Sequence, residues 1–271
     1  YMWDFFMDDP DFCIPGERFD RGQQIFVSGL KLIGDGSVSG RTAWMAEPYL
    51  GTDSCGISVC SDRQMETAIQ FCKENHCQLS MHAMGTRAIA RVVDRAAREE
   101  KWNDGPEPYV RVEHITDPAQ DSVRKAAEKG IGFVTQPIFM YAEIESYLNN
   151  LGQEWMKRCY PVRDLLDSGV KLCFSTDAPA TSWAVPSDPF PNIKGAVTRR
   201  AWDGTDCGKD QAVDVETAVI LYTKESADMV GFDRLGQLRE GYTADFLVLD
   251  RDILEIPAEA IDQVQVAQTY I

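Results

Sequence analysis

The chain has 271 residues, with 27 Lys+Arg against 43 Asp+Glu, a formal charge of −16, 44% apolar and 26% charged residues. That composition excludes disorder and collagen-like structure, and an acidic surface repels phosphate backbones, so no nucleic-acid partner is expected. Apolar runs such as Ala218-Val219-Ile220-Leu221-Tyr222 fall far short of the ~20 residues that span a bilayer, so no membrane partner is expected either.

Taken in chain order, residues 25–33 read as a strand closed by Gly34-Asp35-Gly36. Residues 62–75 place Met65, Ile69 and Cys72 at helical spacing, and 79–82 form a second strand. Residues 87–100 carry Ile89, Val92, Val93 and Ala96 on one helical stripe, and 109–115 alternate as a third strand. Asp117 as cap, Pro118 at the first position and Gly130 as terminator mark the next helix. Residues 131–136 form a fourth strand stopped by Pro137. After a longer region with Trp155 and Tyr160, 162–168 read as a short helix ended by Gly169, and 170–176 as a fifth strand turned by Asp177-Ala178-Pro179. Residues 186–191 and 204–208 read as loops, 212–230 as helix, and 246–250 as a strand that leaves for a small β unit. Strand, helix, strand at this rhythm implies right-handed crossovers and a parallel sheet covered on both faces.

The first nine residues are acidic where a signal peptide needs a basic segment, and the chain begins with Tyr1, which reads as a cut start. Eight cysteines include no C-x-x-C pair, only the C-x4-C pairs Cys55/Cys60 and Cys72/Cys77. They read as reduced, mostly buried thiols of a cytoplasmic protein.

Lys31, His82, His114 and Asp177 all fall at or near strand ends. In a parallel α/β barrel those ends converge on one face, where active sites are built. Taken singly, a histidine there is more often hydrogen-bonded structure than a ligand; four such positions in successive βα units, with imidazole and carboxylate donors suited to zinc, raise the odds. His76, where a helix gives way to a strand on the opposite rim, reads as structural. Gly34-Asp35-Gly36-Ser37-Val38-Ser39-Gly40 has its glycines at 1, 3 and 7 and is a poor phosphate loop, and no G-x-S-x-G elbow is present.

Six motifs, in order, resemble the YtcJ-like branch of the amidohydrolase superfamily: Lys31-Leu32-Ile33-Gly34-Asp35-Gly36-Ser37 with Arg41-Thr42-Ala43, His82-Ala83-Met84-Gly85-Thr86-Arg87, Val112-Glu113-His114, Thr135-Gln136-Pro137, Ser175-Thr176-Asp177-Ala178-Pro179 and 236–245. The resemblance implies a (β/α)8 TIM-type barrel, incomplete at about strands four to eight over residues 1–235, with 236–271 as the C-terminal part of a composite β-sandwich. It implies hydrolysis of a non-peptide C–N bond in a small amide, formamide or cyclic amide by metal-activated water. Carried over, Lys31 is a bridging ligand in carbamate form, His82 and His114 bind a second metal, and Asp177 is both ligand and proton shuttle; His114 and Asp177 are the catalytic pair. The implied cofactor is one or two divalent metals, most simply zinc.

Three departures stand out. Thr86 occupies the place of an expected Asp, which leaves His82 without a neighbouring carboxylate; Thr176 replaces the commoner Ser; and with three histidines the chain has no H-x-H pair. The polypeptide alone is therefore expected to be inactive or severely impaired. Its expected partners are a small-molecule substrate and either a second copy or an N-terminal segment that completes the barrel. A non-catalytic barrel used for binding or assembly, and a single-metal deaminase-like enzyme, are the alternatives. Trp44, Phe139, Tyr141 and Trp183 are candidate pocket residues, with ordinary core packing equally expected for each.

Overall fold

A computed structural model describes residues 13–23 and 25–271. The acidic opening, residues 1–9, lies outside them. The chain divides into two compact units, residues 1–133 and 134–271.

The first unit contains β1 (Gly29–Ile33), α1 (Asp62–Glu74), β2 (Gln78–Ala83), α2 (Thr86–Ala96), β3 (Val110–His114) and α3 (Gln120–Lys129), and β4 (Gly132–Thr135) begins in it. β1 pairs in parallel with β2, and β2 with β3. Lys31, Ser80 and Arg111 are register neighbours, as are Ile33, His82 and Glu113. Register neighbours share a face, so these residues line one side of the sheet. Leu30, Leu32, Leu79, Met81, Val110 and Val112 occupy the other and are at most 1% exposed.

α1 starts at a capping box in which the Ser61 hydroxyl accepts from the Gln64 N–H while the Gln64 side chain accepts from the Ser61 N–H. α3 begins three residues beyond the expected cap: Ala119 is its N-cap, with no side-chain bond. The Asp117 carboxylate instead lies 3.5 Å from the Thr86 hydroxyl. The expected terminator holds, because Gly130 is left-handed at φ +67°.

The second unit follows with α4 (Pro137–Ala142), α5 (Ile144–Leu151), α6 (Gln153–Arg158), α7 (Val162–Asp167), β5 (Lys171–Phe174), α8 (Phe190–Thr198), α9 (Val215–Tyr222), α10 (Lys224–Val230), β6 (Phe246–Leu249) and β7 (Val266–Tyr270). Pro137 opens a helix where a stop was expected, since the first helical position needs no N–H. α8 fills part of an expected loop, and the helix expected over 212–230 is broken at Thr223 (φ −115°, ψ −82°).

The parallel sheet runs in chain order from β1 to β5, the alternation of strand and helix found in part of a (β/α)8 barrel. β6 and β7 form a separate two-stranded antiparallel sheet. None of the eight cysteines forms a disulfide in the structure; six are buried, Cys55 is half-buried and Cys13 exposed. Among the described residues no helix is long and apolar enough to cross a membrane.

Candidate metal centre

The loop after β1 first continues the ladder with β2, its Gly34 N–H donating to the His82 carbonyl at 2.8 Å. The next residue, Asp35, is 1% exposed, and its carboxylate accepts from the backbone N–H groups of Trp44 (2.8 Å), Met84 (2.9 Å) and Gly85 (2.8 Å). Burial pushes this carboxyl up from its ordinary value, against the pull of the three N–H bonds and of His82. Close backbone approach explains a neighbouring glycine: a Cβ on Gly85 would lie 2.3 Å from the Trp44 carbonyl oxygen.

His82 ends the polar face of β2. Its Nε2 is 2.9 Å from the Gly36 carbonyl oxygen and 3.4 Å from Asp35 Oδ1. Both neighbours are acceptors, which assigns the ring proton to Nε2 and the lone pair to Nδ1. The carboxylate expected to be missing beside His82 is thus supplied from another segment: Asp35 arrives from the β1 loop in place of the residue at Thr86.

His114 reaches the same place against the strand pattern. It is in register with Ala83, so simple alternation would direct it to the face opposite His82. Its φ of +86°, followed by +26° at Ile115, breaks the alternation. The two imidazole centroids lie 4.3 Å apart at 58°, and His114 is 4% exposed. A left-handed non-glycine residue costs on the order of 1–3 kcal/mol, and such strain concentrates at functional sites.

Lys31 is half-buried on β1, in the row of Ser80 and Arg111. Glu113 secures that row, its Oε1 accepting from the Ser80 hydroxyl at 2.8 Å and from Arg111 Nε at 2.7 Å. Asp177 belongs to the second unit, half-buried beyond the end of β5 with φ +57°. The His76 side chain is 63% exposed, with Nδ1 3.1 Å from the Trp102 carbonyl oxygen and 3.6 Å from Asp104 Oδ2. Of the aromatic candidates, Phe139 and Tyr141 are buried, and Tyr141 packs edge-on against Trp183 at 5.2 Å. Trp44 borders a groove of about 630 Å³ between α1 and α2.

Two converging imidazoles suit zinc or a similar divalent ion. No group of three or more His, Cys, Asp or Glu stands ready for a metal among the described residues, so the histidine pair fits part of a coordination sphere. Sequence reasoning missed Asp35 and Glu113. The one available signal for Asp35 was a carboxylate between two glycines at a strand end, which read only as a turn.

Parallel strands alternating with helices, with chemistry-bearing residues at their ends and a histidine pair whose His114 is left-handed, have the organisation of a barrel-type metal-dependent hydrolase. The sequence model of the Amidohydrolase family matches residues 16–271, and the chain belongs to that family. It is 26% identical over 255 residues to the YtcJ protein of Bacillus subtilis (strain 168), covering 92% of this chain and 47% of that one. It is 29% identical over 196 residues to the N-substituted formamide deformylase of Arthrobacter pascens, covering 71% and 35%. The crystal structure of an uncharacterized metal-dependent hydrolase from Pyrococcus horikoshii superimposes with a TM-score of 0.74 at 27% identity, over 88% of this chain and 47% of that one. The chain spans less than half the length of these relatives.

Proposed function

We propose that this chain carries part of the centre of a metal-dependent hydrolase that cleaves the C–N bond of a small amide, with N-substituted formamides as the first substrates to test. The observation that carries the reading is the His82–His114 pair, brought to 4.3 Å by a strained backbone at His114. Likeness to a formamide deformylase supports the substrate class.

His82 and His114 would hold the metal through ring nitrogens, with Lys31 adding carbamate oxygens once CO2 has joined its neutral amine. A divalent metal, zinc in the simplest case, polarises a carbonyl and acidifies water when bound. Asp177 is assigned the proton: it accepts one from the attacking water and passes it to the leaving nitrogen. Since no group of three or more His, Cys, Asp or Glu stands ready for a metal among the described residues, a single-metal form of the same reaction is the second reading.

Amine release from an N-substituted formamide by the zinc-loaded chain tests this. With no H-x-H pair in the sequence, turnover is expected to be slow, zinc-dependent, and reduced about 100-fold or more by Asp177→Asn or His114→Asn. Equal release by wild type and both variants contradicts the reading. Intact mass showing one CO2 on Lys31 supports the carbamate, and metal content per chain separates the one-metal from the two-metal form.

A further inference from the structure

Asp35 is a buried carboxylate that the proposed reaction leaves without a task. Its N–H donors are Trp44, nine residues further along the same loop, and Met84 with Gly85 in the turn after β2. Its own backbone belongs, like Trp44, to the connection between β1 and α1, so that connection and the turn after β2 are tied together on one side chain. A carboxylate tied by three N–H groups cannot swing away, and the edge it shows to His82 Nε2 at 3.4 Å is fixed.

Other carboxylates nearby are already committed. Glu113 accepts from Ser80 and Arg111, and Asp117 faces Thr86.

We propose that Asp35 is a positioning residue for His82: together with the Gly36 carbonyl it holds the Nε2–H edge of the ring, so that Nδ1 is the nitrogen offered to a metal. This rests on the reading of His82 as a ligand and adds the group that orients it. Histidine ligands commonly have the second ring nitrogen fixed in this way, at a cost of about 10- to 100-fold in metal affinity when the partner is removed.

Two measurements on the 271-residue chain test the proposal. In the metal-free protein, 1H–15N spectra of the imidazoles are expected to show His82 protonated at Nε2, and a mixture of tautomers or a broadened ring signal in Asp35→Asn. Unchanged His82 ring shifts in a folded Asp35→Asn chain overturn the proposal. Zinc is then titrated against a competing chelator in wild type, D35N, H82A and the double variant. D35N is expected to weaken zinc about 10- to 100-fold in the wild-type background and to add nothing in the H82A background. The same loss in both backgrounds means that Asp35 is a general scaffold, which also overturns it. Equal zinc affinity in wild type and H82A removes His82 as a ligand instead, and the metal-free spectra then judge Asp35 by themselves. Should D35N fail to fold, Asp35→Glu, which keeps the charge but displaces it by one methylene, is read in the same two assays.

Discussion

In the first unit the Asp35 carboxylate takes three backbone N–H groups; in the second the Arg199 guanidinium, fully buried, gives its protons to the carbonyls of Cys159, Tyr160, Cys207 and Gly208 at 2.5–3.1 Å. Burial works against both charges, pushing the Asp35 pKa up and the Arg199 pKa down. Each is held by main-chain dipoles, and Asp35 also has the His82 ring beside it, with Nε2 at 3.4 Å. Positive φ recurs in the two units as well, at His114 (+86°) and at Arg199 (+51°). At Arg199 it terminates α8; at His114 it swings an imidazole toward its neighbour. A buried charge or a strained residue therefore says little about chemistry until the atoms beside it are named.

Arg199→Met fills the space but removes the guanidinium donors of the buried Cys159 and Cys207 carbonyls, while the Tyr160 and Gly208 carbonyls keep the Val162 and Gln211 N–H groups, and is expected to cost about 3–5 kcal/mol, seen as a lower urea midpoint. Zinc affinity of the folded fraction should not change. A weaker zinc affinity would mean that Arg199 is more than scaffolding.

Gly85→Ala presses on the other side. Its Cβ would stand 2.3 Å from the Trp44 carbonyl oxygen, so the Asp35 clamp must open, at a cost of about 1–3 kcal/mol. A thermal melt equal to wild type would show that the clamp is looser than its distances suggest.

The smallest effect concerns a neutral buried group. Tyr109 donates its hydroxyl to the Ala96 carbonyl at 3.1 Å, and burial pushes its phenol up to about 12. The folded value lies above the ordinary 10.0, so the stabilising contribution is complete below pH 10 and is lost as pH rises toward 12. Denaturant melts between these pH values should show a decline that Tyr109→Phe makes shallower; identical slopes would exclude Tyr109 as its source.

Much of the fold is legible because its core strands and helices carry clear apolar periods, as at Leu30, Leu32, Leu79 and Met81. α4 and α8 are not, because Pro137 and Pro191 look like breakers yet sit in the first turn of a helix, where proline fits. β7 is hidden because all five of its residues are exposed and leave no alternation to read. His82 and His114 are identifiable by their positions at strand ends, but their convergence is not: alternation separates them, and the backbone at His114 brings them together. Asp35 is hidden for a similar reason, since its role depends on N–H groups 9, 49 and 50 residues away.

Zinc binding to the folded chain, measured by equilibrium dialysis for wild type and for His82→Ala/His114→Ala together, tests the central claim most directly. The histidine pair predicts zinc bound by wild type and released by the double variant, with the two far-ultraviolet spectra superimposable. Equal zinc retention by both proteins would contradict the assignment of His82 and His114 as the metal-holding pair.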